Sequence, residues 1–359
     1  MIITYFRSSS YNTHSMCEQQ FFLEYVLGFR GPSNQKADKG TIVHKVLEVL
    51  AFIKQAQQNN QDTIKDDIVG DIIINNYSID NTAKGNYYLS NLVDIIYNHY
   101  AFANPHHKWV DKDRIDCYNW VQKAITFNNG MFDPRNRHIV CPEQRFDLCI
   151  DKPWAKYSYD TPEGKLEGTL GLKGTVDLIT KIDDNCYEII DWKTGKRLDW
   201  ATGQVKTQEK LENDPQLRIY HYAIQQLYPH IENIIVTINF INDGGAFSVA
   251  FDKADLVKTE QMLRVKFDRI KSSTKPQLNK SWKCSKLCHF GKTTFENTAI
   301  LPIIEYRDGH ITPNGKCMTK CEQIHHDINM NGMSSVVDQY KDSKHSFGFY
   351  KAPGESDSK

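Results

Sequence analysis

Gly174-Thr-Val-Asp177 and Asp191-Trp-Lys193-Thr-Gly195 are the two stretches whose reading decides the fold. Residues 169–180 and 186–192 read as strands, and Asp183-Asp-Asn185 marks the turn between them. Asp177 and Asp191 lie 14 residues apart, a spacing at which a hairpin can carry both carboxylates to one edge. Side chains alternate across a strand, so Asp191 and Lys193 share one side and Trp192 takes the other. Two carboxylates and an ammonium on one surface are costly to bury without a purpose. A divalent cation resolves the repulsion between the acids, and hard oxygen ligands suit Mg²⁺ or Mn²⁺. Such an ion lowers the pKa of a bound water and neutralises charge building on a phosphate. Lys193 can hold that water or a phosphoryl oxygen. Taken alone, Asp-x-Lys is a frequent accident, usually a solvated strand end or a surface ion pair.

Working outward, the apolar spacing predicts a helix over 15–27, a loop over 28–39 and a helix over 41–51 with Val43, Val46, Leu47 and Leu50 on one face. Residues 58–135 are rich in Asn and Asp and read as a helical insertion. A further strand is expected over 145–150. Asp214-Pro215 opens a helix that runs to about Tyr228, with Pro in the first turn where its missing N–H costs nothing. Strands over 234–241 and 246–251 flank Asn242-Asp-Gly-Gly245, a strong hairpin signal. An amphipathic helix over 254–271 turns Leu256, Leu263, Phe267 and Ile270 inward. Strands with helices before, between and after them give an α/β layer fold around one mixed sheet. The expected organisation is N-terminal helices (1–57), a helical insertion (58–138), the core (139–271), a Cys-containing segment (272–330) and a polar tail (331–359).

Gly40-Thr-Ile-Val-His44, Gly174–Asp177, Asp191–Gly195 and Gln216-Leu-Arg-Ile-Tyr220 occur in that order. With Cys17-Glu-Gln-Gln-Phe-Phe-Leu-Glu-Tyr-Val-Leu-Gly28 ahead of them, this set resembles the RecB-type nucleases of the PD-(D/E)XK superfamily. Glu143-Gln-Arg-Phe146 looks like that family's glutamate-bearing strand. Val176 stands where the superfamily's name has Pro, as in many RecB-type members. The resemblance implies a restriction-endonuclease-like core and metal-dependent DNA hydrolysis. It implies Asp177, Asp191 and His44 as metal ligands and Lys193 as the group that positions and activates water. Gln216 and Tyr220, four apart on one helix face, would touch the DNA strand or brace the catalytic loop. Glu143 would be a second-metal or supporting residue. For each of these there is a plainer role: a polar residue in a helix groove for His44, and helix packing for Gln216 and Tyr220. The family suggests an exonuclease on single strands or duplex ends, in recombination, repair or phage DNA processing, with room for a helicase or recombination partner.

Cys284 and Cys288 are one helical turn apart, as are Cys317 and Cys321, so each pair can point two thiolates at one ion. Cys117, Cys141, Cys149 and Cys186 are scattered and read as unrelated thiols. Several RecB-type nucleases, of the AddB-like and CRISPR-adaptation kinds, hold a [4Fe–4S] cluster on one Cys of the opening helix and three near the C-terminus. Cys17 matches the first. The C-terminal spacing departs from the family's C-x₂-C-x₅-C, which leaves five candidates for four positions. Soft thiolates suit both Fe–S and Zn²⁺, and the resemblance favours the cluster. His289, His325 and His326 are adjacent and read as surface residues.

Lys+Arg and Asp+Glu are 44 each, which excludes a uniformly basic nucleic-acid coat but not a local basic groove. Residues 253–283 hold nine Lys/Arg against three acids, with Trp282 beside them, a composition suited to single-strand tracking or to an ordinary solvated helix face. Trp192 and Trp200 flank the Lys193 loop, where they would stack on bases or fill the core. The longest apolar runs fall short of the ~20 residues that span a bilayer, so no membrane is expected. Met1 to His14 lacks the apolar core of a secretory signal, which with nine Cys leads to a cytoplasmic, reducing compartment as the expectation. The alternative to an enzyme is a non-catalytic DNA-binding or assembly protein with a degenerate site and a structural Cys₄ zinc.

Overall fold

The computed structural model describes residues 1–29, 31, 34–74, 83–161, 164–199, 202–291 and 319–340. Trp200, Cys317 and the polar tail beyond residue 340 therefore lie outside the described residues. The elements run β1 (Tyr5–Phe6), α1 (Ser8–Met16), α2 (Glu18–Phe21), α3 (Gln35–Gln58), β2 (Thr63–Asp66), β3 (Gly70–Ile73), α4 (Ala83–Ala103) and α5 (Asp111–Thr126). There follow β4 (Ile139–Cys149), β5 (Lys156–Thr161), β6 (Gly164–Thr169), β7 (Gly171–Lys181), β8 (Cys186–Lys193), α6 (Gln208–Glu212) and α7 (Pro215–Leu227). The last are β9 (Asn233–Phe240), β10 (Gly245–Asp252), α8 (Asp255–Ser272), α9 (Trp282–Lys286), α10 (Lys320–Asn331) and α11 (Met333–Tyr340). The chain forms two compact units, Ser33–Arg145 with Thr175–Leu256, and Met1–Pro32 with Phe146–Gly174 and Val257–Lys359.

The first of these units carries a mixed sheet in the order β7-β8-β9-β10. Leu178 pairs with Ile190 antiparallel, Trp192 with Asn239 parallel, and Gly245 with Phe240 antiparallel. Alternation along β8 sends Ile190 and Trp192 to one face, where they pack with Ile42, Val46 and Leu47 of α3 and Val121 and Ile125 of α5. Ile189 and Asp191 face the other way, toward the side that α7 covers with Leu217, Tyr220 and Ile224. Helices thus lie on both faces of the sheet, the α/β arrangement expected from the sequence. α3 starts at Gln35, six residues before the expected boundary, because Asn34 caps it by accepting a hydrogen bond from the Ala37 N–H (2.9 Å). The segment expected to be a helical insertion begins instead with the β2–β3 hairpin. Asp66 turns that hairpin by accepting the Ile68 and Val69 N–H groups (both 2.9 Å), a local competition that hydrophobic periodicity does not register.

In the other unit, Tyr5 pairs parallel with Gly171 at the start of β7, and β5 pairs with β6 in a hairpin the sequence reading missed. A Cβ on Gly174 would come within 2.5 Å of the Phe146 ring, which accounts for glycine at the head of Gly174–Asp177. The helix expected over 15–27 is broken at Cys17, whose backbone is extended (φ −161°, ψ 112°). Leu263, Phe267 and Ile270 of α8 are buried as expected, and Leu256 is half-buried.

Candidate active site

Strand β8, strand β7, helix α3 and helix α7 bring the motif residues together. Asp177 lies one residue before the ladder between β7 and β8 begins, and its Oδ2 accepts the Trp192 N–H at 2.9 Å. The carboxylate thereby does the work of a ladder carbonyl, which fixes it against β8. The same oxygen faces His44 Nδ1 at 3.2 Å. Asp191 is almost fully buried. Its Oδ1 accepts hydrogen bonds from Gln216 Nε2 (3.0 Å) and the Tyr220 hydroxyl (3.3 Å), and Gln216 Nε2 also donates to that hydroxyl (2.8 Å). Gln216 is placed by the cap of α7, where Asp214 accepts its N–H at 2.9 Å and Pro215 occupies the first turn. Lys193 Nζ stands 2.6 Å from Asp191 Oδ2. Gly40, one turn before His44, is needed because its Cβ would lie 2.7 Å from Thr194 Oγ1. Helix α3 can therefore approach the Asp191–Gly195 stretch closely enough for His44 to reach Asp177.

The charges sort the two acids. Burial raises the Asp177 carboxyl, but His44, Lys193 and the Trp192 N–H outweigh it and hold its pKa below the ordinary value. Asp191 ends above the ordinary value, because burial and the Asp177 charge outweigh Lys193 and His44. Burial opposes charge on His44 and Lys193, yet Asp177 raises the imidazole and Asp191 with Asp177 raises the ammonium. Burial, with Asp191 and Asp177 adding to it, pushes the Tyr220 hydroxyl well above its usual range, so it stays a neutral donor.

Among the described residues, no three His, Cys, Asp or Glu side chains form a ready cage for an ion. Two of the four charged groups are cations that neutralise the carboxylates directly. The donor set nevertheless fits a hard divalent cation on one observation. Asp191 Oδ2 is buried and makes no aligned hydrogen bond, even with the Lys193 ammonium beside it. The Lys193 ammonium is the cation that meets this oxygen, next to a second carboxylate that uses only one oxygen for His44 and Trp192.

Glu143 joins this group. Its backbone has φ +48°, a left-handed conformation rare for Glu and strained within a strand. Burial, Asp177 and Glu48 push its carboxyl up to about 7, with His44 and Lys45 opposing. Sequence reasoning missed Lys45, whose ammonium joins Glu48 (2.8 Å) to Asp66 (2.7 Å), and Thr194, which faces Gly40. Trp192 is buried in the core, so the base-stacking option falls away for it.

The cysteines form a second cluster, in the other unit. Burial pushes the Cys288 thiol up to about 11, with Cys17 among the neighbours that add to it. Burial also raises Cys321, with Cys288, Cys17 and Cys284 next in order. These thiols come from the break after α1, from α9 and just beyond its end, and from α10, and among the described residues they do not stand together as a ready metal cage. Cys117 is buried apart, on α5, in the core that α5 shares with α3. His325 Nδ1 meets Gln19 Oε1 at 3.2 Å, so that histidine is used locally.

The basic stretch over 253–283 is partly engaged. Lys253 pairs with Glu232 (2.7 Å), Arg269 with Glu18 (2.7 Å) and Lys280 with Glu322 (2.8 Å), and Lys266 is buried against Ser15 Oγ (2.7 Å). Three of its nine cations are thus paired with carboxylates outside the stretch and a fourth is buried. No helix among the described residues is long and apolar enough to cross a membrane.

The family model of the PD-(D/E)XK nuclease superfamily matches residues 8–292, which is most of the chain, and the protein belongs to that superfamily. No curated protein matches it. Among solved structures it is similar to a "Putative exonuclease" from Eubacterium rectale, at 9% identity and a TM-score of 0.43, over 85% of this chain and 94% of that one.

Proposed function

We propose that the protein is a Mg²⁺- or Mn²⁺-dependent deoxyribonuclease that hydrolyses phosphodiester bonds, acting as an exonuclease on single strands or duplex ends. The observation that carries the reading is the meeting of His44, Asp177, Asp191 and Lys193, drawn from three separate elements, with His44 against Asp177 Oδ2 and the Lys193 ammonium against Asp191 Oδ2. Asp177, Asp191 and His44 would hold the ion, His44 giving up its proton to do so. When bound, the ion supplies an activated water and neutralises charge on the phosphoryl group. Lys193 orients the attacking water and stabilises the developing charge on a phosphoryl oxygen. Gln216 and Tyr220 fix Asp191 in one rotamer, so that little reorganisation is needed at the moment of attack. Glu143 supports a second charge position beside Asp177.

Cys17, Cys284, Cys288 and Cys321 would hold a [4Fe–4S] cluster, with a structural Zn²⁺ as the alternative. Their support is their place in one compact unit and the softness of thiolate ligands. Cellular roles in recombination, repair or phage DNA processing, and a helicase partner, follow from the likeness to RecB-type enzymes. The test is cleavage of labelled single- and double-stranded DNA with and without Mn²⁺. Asp191→Ala and Lys193→Ala should lose cleavage while keeping the wild-type melting transition. Full Mn²⁺-dependent cleavage by either would remove the assignment, and DNA binding without cleavage by the wild type would favour the non-catalytic alternative.

A further inference from the structure

Arg197 sits four residues past Lys193, on the loop that leaves β8, and is set differently from the other arginines of its unit. Arg114, Arg135, Arg137 and Arg218 each face a carboxylate, of Asp94, Asp133, Glu188 and Asp255 respectively, and Arg145 is exposed rather than held. Among the described residues Arg197 has no carboxylate partner for its guanidinium, and its Nε is buried without an acceptor. The side chain is half-buried, yet it is held firmly. Its guanidinium carbon lies 4.2 Å from the centre of the Phe247 ring. Its backbone N–H donates to Asp243 Oδ2 at 2.7 Å, and its carbonyl accepts the Lys206 N–H at 3.0 Å.

The turn between β9 and β10 supplies Asp243, β10 supplies Phe247, and the same turn also grips the start of the loop. Ile241 N–H donates to the Lys193 carbonyl (3.0 Å), and Asn242 Nδ2 donates to the Thr194 carbonyl (3.3 Å). One short turn thus clamps the backbone at 193, 194 and 197, and β10 sets the arginine on a ring at a fixed place relative to Lys193. Four residues span at most about 14 Å between Cα atoms, so Arg197 leaves the backbone close to Lys193.

We propose that Arg197 is a substrate-binding residue that takes a backbone phosphate of the DNA strand close to the scissile bond. The proposal rests on the nuclease reading above. A planar fork of N–H donors, held flat on a ring and lacking its own acid, suits the bidentate geometry of a phosphate. The Phe247 ring removes the conformational freedom that an exposed arginine would lose on binding.

The test measures binding of a labelled single-stranded oligonucleotide to the full chain by fluorescence anisotropy, in EDTA, across a salt series. It is paired with cleavage kinetics in Mn²⁺. Arg197→Ala should bind about tenfold more weakly. The slope of log K against log salt should fall in magnitude by about 0.7, the value for one phosphate contact on a single strand. Cleavage at saturating DNA should stay within about twofold, with the loss in KM. Arg197→Lys should keep the slope and lose several-fold in affinity. Phe247→Ala should fall between wild type and Arg197→Ala. Should Arg197→Ala lose its melting transition, the other two variants carry the test, and wild-type binding by both overturns the proposal. Unchanged affinity and slope in a folded Arg197→Ala, with a wild type that binds and cuts, overturns the Arg197 assignment and leaves the nuclease reading standing. A wild type that neither binds nor cuts removes both.

Discussion

Gly40→Ala puts the geometry of the site under a defined strain. The added methyl would lie 2.7 Å from Thr194 Oγ1, about 0.7 Å short of ordinary contact. Two effects on stability oppose one another. Alanine in a helix interior contributes about 0.5–1 kcal/mol over glycine, while overpacking costs about 1–3 kcal/mol. The net loss is therefore small, at most about 2.5 kcal/mol. The effect on turnover should be larger, because the atom that must yield belongs to the residue next to Lys193. A shift approaching 1 Å at a reacting group costs on the order of 10²-fold, so kcat should fall by about ten- to a hundredfold with little change in KM. The assay is steady-state DNA cleavage in Mn²⁺, with melting curves alongside. Thr194→Ala removes the opposing oxygen, so the double variant should recover most of the lost rate. A Gly40→Ala enzyme with wild-type kcat, or a double variant no faster than Gly40→Ala, would refute the close-approach argument.

Gln216→Ala removes a hydrogen bond on Asp191 Oδ1 and the donor to the Tyr220 hydroxyl; kcat should drop about tenfold, with KM for DNA steady, as steady-state kinetics will read. Glu143→Gln tests the acid at φ +48° through its pH dependence. The folded carboxyl titrates at about 7 against an ordinary 4.5, so the folded state holds more protons between those values and stability falls as pH rises through them. In metal-free buffer the amide variant should therefore melt higher than wild type above pH ~7, by about 1–3 kcal/mol, with the gain vanishing near pH ~4.5. An equal difference at both pH values would contradict the cause given. The cysteine cluster is read by colour. Anaerobically purified protein should absorb near ~400 nm and lose that band in Cys17→Ser, whereas a colourless protein with bound zinc would replace the cluster with the structural alternative.

Much of the site was legible in the sequence because its parts announce themselves locally. Asp214-Pro215 spells a capped helix start, Asn242-Asp-Gly-Gly245 spells a tight turn, and the alternation around Asp191-Trp-Lys193 assigns faces without tertiary information. What the sequence withheld depends on partners far along the chain. The basic stretch near residue 270 looked available for DNA until Glu18, 251 residues from Arg269, was found against it. The break at Cys17 has no glycine or proline to announce it, and the β2–β3 hairpin is turned by the Asp66 side chain, which competes with a helical pattern. Arg197 was passed over because nothing in Lys196-Arg197 distinguishes a held guanidinium from a solvated one. Only Phe247 and Asp243, brought up by the neighbouring hairpin, make that difference.

The central claim is that two acids and an imidazole from separate elements share one hydrated cation beside Lys193. Anomalous diffraction from crystals soaked in Mn²⁺ measures this directly. The account predicts a peak within about 2.2 Å of carboxylate oxygens of both Asp177 and Asp191, with an imidazole nitrogen of His44 completing the set. A Mn²⁺ peak bound elsewhere, with those side chains still pointing at Lys193 and Trp192, would contradict it.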